Sequence, residues 1–130
     1  MSREILQPPG WARPRGYANG VAATGRQVFV AGQIGWDAEQ RIVSDDFALQ
    51  TRQALANVID VLACAGAGPN HLVRLTWYVT SRDEYNAALP AIGASYRELF
   101  GRNFPAMSVV VVAGLLEPRA KVEIEATAVV

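Results

Sequence analysis

The sequence predicts an α+β fold in which a mixed β-sheet carries two helices on one face. Two stretches, Ser44 to Cys64 and Ser81 to Leu99, repeat apolar residues every three or four positions. Short β-prone runs precede, separate and follow them. Each helix has a single apolar stripe, which a lone sheet can cover.

Val21-Ala22-Ala23, Thr24-Gly25-Arg26 and Gln27 to Ala31 read as two short strands about a glycine-containing turn, a β-hairpin. Gly32-Gln33-Ile34-Gly35-Trp36 continues the second strand, and its glycines mark a bend or a close approach. Asp37 to Arg41 is polar and loop-like. Ser44, followed by Asp45 and Asp46, is the expected start of a helix reaching about Cys64. Leu55, Val58, Ile59 and Leu62 form its apolar face and Gln50, Arg52, Gln53 and Asn57 its polar one, with Gly66 or Gly68 as the stop.

Leu72 to Thr80 holds Val73, Thr76, Trp77, Tyr78 and Val79 and reads as a central strand. Ser81 and Glu84 form a capping-box pattern. Tyr85, Leu89, Ile92, Tyr96 and Leu99 then recur at helical spacing, with Pro90 implying a kink or a start near Ala88, and Gly101 ends the helix. Ala106 to Ala113 and Lys121 to Val129 are the last two strands, giving the order ββ-α-β-α-ββ.

The length of 130 residues fits one domain, 1–130. Hydrophobic residues make up 51% and charged ones 18%, more apolar surface than one small core buries. Self-association is therefore expected: the sheet face without helices would present aliphatic residues to a second copy, with clefts between subunits of a closed oligomer. Twelve basic residues balance twelve acidic ones, which removes the charge excess that drives nonspecific nucleic-acid binding. Cys64 and His71 are the only cysteine and histidine, so neither a disulfide within the chain nor a thiolate-based metal site is expected. Cys64 reads as a small buried group and His71 as a surface residue. Met1 to Gly10 is polar, with Pro8-Pro9 and no signal-like apolar run, and no stretch approaches a membrane span of about 20 residues. A cytoplasmic protein is the expectation.

Several motifs together resemble the Rid family, the YjgF-type reactive intermediate deaminases. Gly16-Tyr17 with Gly20-Val21 looks like the family's glycine-proline-tyrosine opening, with the proline absent. Ala31-Gly32-Gln33-Ile34 resembles its serine-glycine-glutamine-isoleucine strand end, Phe104-Pro105-Ala106-Met107 its proline-alanine-arginine motif, and Val122-Glu123-Ile124-Glu125-Ala126 its acidic last strand. The likeness runs from about Arg15 to Ala128. It implies a chorismate-mutase-like fold, a homotrimer, a small-molecule cleft between subunits and no cofactor. It also implies that Glu123 assists the water that hydrolyses an imine or enamine. Met107 stands where the deaminases carry the arginine that grips the substrate carboxylate, Gly93 where they carry an asparagine, and Val109 where a cysteine is common. Loss of a bidentate guanidinium should weaken 2-iminocarboxylate binding by about 100-fold, on the order of 3 kcal/mol. The expected ligand is larger or less charged.

Each candidate residue also has a structural reading. Glu123 is a general acid or base if it lies in an apolar cleft, and a solvent-facing strand residue otherwise, while Glu125 reads as structural. Tyr17 either donates a hydrogen bond to ligand or anchors its loop. Gly32 either exposes amides to a cleft or marks a bulge. Trp36 either stacks on a flat ligand at the cleft mouth or packs an interface. Arg15 is a substitute cation or a solvated loop residue, and Met107 lines the pocket or the core.

Three functions are compatible with these residues. The first is deamination or tautomerisation of an enamine or imine metabolite. The second is a non-catalytic small-molecule binder on the same trimer. The third is an endoribonuclease, as the resemblance also implies, although no pair of histidines supports it. Nucleic acid, membrane and metal are not expected partners.

Overall fold

The computed structural model describes residues 2–130. The elements are β1 (Ser2–Leu6), β2 (Gly20–Thr24), β3 (Gln27–Ile34), α1 (Phe47–Cys64), β4 (Leu72–Val79), α2 (Arg82–Phe100), β5 (Ala106–Val111) and β6 (Val122–Val129), with a 3₁₀ turn at Pro69–His71. The main sheet runs β3-β6-β4-β5, with β4 and β5 parallel and the other pairs antiparallel. Although β6 follows β5 in sequence, it lies between β3 and β4, and β5 is left at an edge. α1 and α2 cover one face, an α+β arrangement as expected.

The hairpin about Gly25 does not form. β2 instead pairs with β1 in a separate two-stranded sheet, and β1 lies in the segment read only as polar, with no strand assigned to it. The C-terminus decides this, because Arg26 and Val130 exchange both backbone hydrogen bonds, N to O at 2.7 and 2.8 Å. Gly25 has φ of 146°, and a Cβ on it would stand 2.6 Å from the Val130 carbonyl oxygen. Glycine is thus what lets the last residue reach β3.

α1 starts at Asp46, whose carboxylate accepts from Leu49 N at 2.9 Å; Ser44 Oγ accepts from Asp46 N and so sets the turn before it. Gln50, assigned to the polar face, is fully buried. Its Nε2 donates to Ser44 O (2.8 Å) and Arg119 O (3.0 Å), and its Oε1 accepts from Lys121 N (2.8 Å). It joins α1 to the segment entering β6. α2 begins directly after Ser81, whose hydroxyl accepts from Glu84 N, while the Glu84 carboxylate bonds Lys121 rather than completing a capping box. Pro90 sits inside α2 on its exposed side, where the carbonyl left without a donor can bond water.

The core joins Leu55, Val58 and Leu62 of α1, Leu75, Trp77 and Val79 of β4, Ile92, Tyr96 and Phe100 of α2, and Val122 and Ile124 of β6. The opposite sheet face is largely polar rather than aliphatic, with Val110 beside Tyr78 as an exposed exception. It carries Phe29, Arg74, Thr76, Tyr78, Glu123, Glu125 and Thr127, and Phe29 is 71% exposed. Cys64, expected to be buried, is exposed. His71 is half-buried, and its Nδ1 accepts from Gly68 N at 3.0 Å. Among the described residues no helix is long and apolar enough to cross a membrane, and no cluster of three metal-ligating side chains occurs.

Candidate functional site

β5 is an edge strand with α2 overhanging it, and a cavity of about 590 Å³ lies between the two. Met107 is in register with Leu75 and Val109 with Trp77, both buried on the helix side, so the two side chains point under α2. Tyr85, Leu89, Ile92, Gly93 and Tyr96 form the facing wall, because helical spacing puts them on one stripe. The loop of Arg15, Gly16 and Tyr17 closes one end. It is held there by the Ala18 N to Pro105 O bond (2.9 Å) and a backbone bridge from Ala18 to Ala106. The three positions that set this chain apart from the deaminase pattern, Gly93, Met107 and Val109, thus share one cavity with Tyr17 and Arg15.

Arg97 also lines this cavity and was missed by sequence reasoning. Its signal was its place one helical turn after Gly93. A Cβ on Gly93 would lie 3.4 Å from Arg97 Nη1, so this guanidinium lies over the glycine. No aspartate or glutamate is among the lining residues. Trp77 lines the cavity too; its Nε1–H is buried and has no acceptor among the described residues, a costly state unless a ligand or water supplies one. Burial pushes the Tyr85 and Tyr96 phenols up, so both stay protonated. Tyr96 donates to Asn103 O and stacks on Phe104 with centroids 5.4 Å apart.

Glu123 is not in this cavity. It is in register with Tyr78 on the helix-free face, so within one chain Glu123 and Met107 lie on opposite sides of the sheet. Its carboxylate rests on Gly32: a Cβ there would be 2.6 Å from Oε2 and 2.7 Å from Cδ. Glycine at 32 is what gives that carboxylate room, at the register break between Val30 and Gln33. Two residues along β6, Glu125 accepts from the Tyr78 hydroxyl at 2.7 Å, which raises the Tyr78 pKa and makes Glu125 structural. Trp36 lies beyond β3, bridged to Ile42, with its carbonyl held by Asn57 Nδ2 at 2.8 Å; it does not line the Met107 cavity.

A small mixed sheet, two helices on one side and an edge cavity rimmed by a tyrosine loop define an α+β class that the relatives share. The family model described as Endoribonuclease L-PSP matches residues 12–130. The 2-iminobutanoate/2-iminopropanoate deaminase of Salmonella typhimurium is 33% identical over 132 aligned positions, covering 99% of this chain and 98% of the relative. A conserved Rid-family protein of unknown function from Yersinia pestis, YyfB, superposes with a TM-score of 0.88 at 36% identity over the whole of both chains. A YjgF/YER057c/UK114 family member from Mycobacterium tuberculosis, Rv2704, gives a TM-score of 0.66 at 34% identity, covering 99% of this chain and all of that one. The chain belongs to the Rid family.

Proposed function

We propose that the protein hydrolyses an imine or enamine metabolite, or tautomerises one, in a cleft between subunits of a homotrimer. One observation carries this reading: Met107 and Glu123 stand on opposite faces of one sheet, each in a fitted setting, so a second copy is needed to bring them to one substrate. The substrate enters the cavity of one subunit, and Glu123 of a neighbouring subunit meets its reactive carbon.

Glu123 takes a proton from water as the water oxygen bonds to the imine carbon, and the imine nitrogen gains a proton. Glu123 then takes the hydroxyl proton of the resulting carbinolamine and passes it to the nitrogen, and the C–N bond breaks to leave a carbonyl and ammonia. No cofactor is required, since the imine carbon is already electrophilic. The relatives named as 2-imino acid deaminases act on small carboxylated imines. Here the 107 side chain offers no charge, and Arg97, with Arg15 at the rim, is the cation available to an acid group. An acid long enough to reach α2 fits this cavity better than 2-iminopropanoate does.

The test is ammonia release from imines generated in situ, comparing short and long side-chain acids. Turnover should favour the longer acids and fall about 100-fold or more in Glu123→Gln. No acceleration over buffer, or full activity in that variant, overturns the mechanism. The absent guanidinium at Met107 supports a second reading, a binder without turnover, for which a ligand would raise the melting temperature and remain unconsumed. RNA cleavage draws no support from the cavity, which His71 does not line.

A further inference from the structure

A second depression, of about 810 Å³, lies on the far side of Tyr17 and Phe104, which line both spaces. It is built by β1, the loop that follows it, Asn70 and the turn from Arg102 to Phe104 after α2. Three guanidinium groups border it: Arg3, held by its Nη1 bond to Asn70 O at 2.6 Å, and Arg13 and Arg102, which make no hydrogen bond or ion pair among the described residues. No carboxylate lines it, in a chain whose charges balance overall.

The loop holds an indole outward. Trp11 is 63% exposed, yet its surroundings are tied down: Gln7 Nε2 donates to both Trp11 O and Ala12 O at 3.3 Å, Gln7 Oε1 accepts from Asn19 Nδ2 at 2.8 Å, and Trp11 N bonds Pro8 O at 3.3 Å. A large aromatic held in water beside three arginines forgoes hydrophobic stabilisation that the ring of a ligand recovers. Its face suits a flat ring, while several guanidiniums suit a dianionic phosphate better than a single carboxylate.

We propose that this groove binds the phosphorylated end of a ligand that carries a flat heteroaromatic ring, the ring on Trp11 and the phosphate among Arg3, Arg13 and Arg102. Its position across the Tyr17–Phe104 wall assigns it the tail of the substrate whose reactive end enters the Met107 cavity. That last step rests on the functional reading above; the binding itself does not.

Three probes separate the parts: adenosine monophosphate for ring with phosphate, adenosine for ring alone, and inorganic phosphate for anion alone. They are titrated calorimetrically and by tryptophan fluorescence at about 0.15 M salt, where weak surface pairing is screened. Adenosine monophosphate should bind at least about tenfold more tightly than either half. Arg13→Gln with Arg102→Gln should weaken it about tenfold or more, leave adenosine unchanged and keep the melting temperature. Trp11→Ala should weaken both ring-bearing probes. Equal affinity for the nucleotide and inorganic phosphate, wild-type binding by the double arginine variant, or tighter binding of a short oligoribonucleotide than of the mononucleotide would each overturn the proposal. Binding is read without turnover, so a failed ammonia assay would remove the functional reading and leave this one standing.

Discussion

The Glu123 carboxylate occupies the space that a side chain at residue 32 would fill, with Oε2 standing 2.6 Å from where a Cβ on Gly32 would be. That contact makes the glycine a positioning element. Gly32→Ala should push the carboxylate aside, cut ammonia release by about 10-fold or more and cost about 1–3 kcal/mol of stability through overpacking. Paired kinetics and denaturant unfolding would check this; loss of stability with unchanged turnover would assign Gly32 to packing alone.

Met107 faces the cavity and partly packs against the core. Met107→Arg should therefore act in two directions. Affinity for a small 2-oxo acid such as 2-oxobutanoate, measured by calorimetry, should rise about tenfold or more through a charge-assisted pair. Stability should fall by about 1–3 kcal/mol, because a charge replaces a thioether against apolar neighbours.

Gln50 is a stability element rather than a site residue. Gln50→Ala removes three hydrogen bonds and leaves Arg119 O and Lys121 N without their partner. The expected loss is about 3 kcal/mol in urea unfolding, with affinity in the Met107 cavity little changed.

Alkaline pH should unfold the protein through its phenols. Hydrogen bonding to Glu125 raises Tyr78, and burial raises Tyr85 and Tyr96, above the ordinary phenol value near 10. The folded state then keeps protons that the unfolded chain gives up. Their contribution is complete below about pH 10 and is lost as pH climbs through the folded values. Melting temperature against pH should bend downward above 10, and Tyr96→Phe, which removes one of these phenols, should flatten that slope.

Both helices were legible because their stripes, Leu55–Val58–Leu62 and Ile92–Tyr96, meet one sheet and so repeat with the helical period. β4 was legible from its β-branched and aromatic residues. The partner of β2 was not, since strand pairing was settled by Val130, more than a hundred residues away, and no local pattern encodes that closure. Gln50 looked polar by type and is buried because three backbone groups elsewhere bond to it. At the site, motif likeness placed Tyr17, Met107, Gly93 and Val109 in one region. Arg97 stayed hidden because its role depends on the absence of a side chain at Gly93, while Trp36, expected near a cleft mouth, lies beyond β3 and outside the Met107 cavity.

The central claim is that the cavity of one subunit and Glu123 of another make one active site. Glu123→Gln chains and Gly93→Trp chains, whose cavity is filled, should each be inactive alone. Unfolded together and reassembled as mixed trimers, they should recover ammonia release to about a quarter of the wild-type rate, because an intact cavity then meets an intact glutamate at about one interface in four. Mixed trimers that form but stay as inactive as either parent would contradict the account.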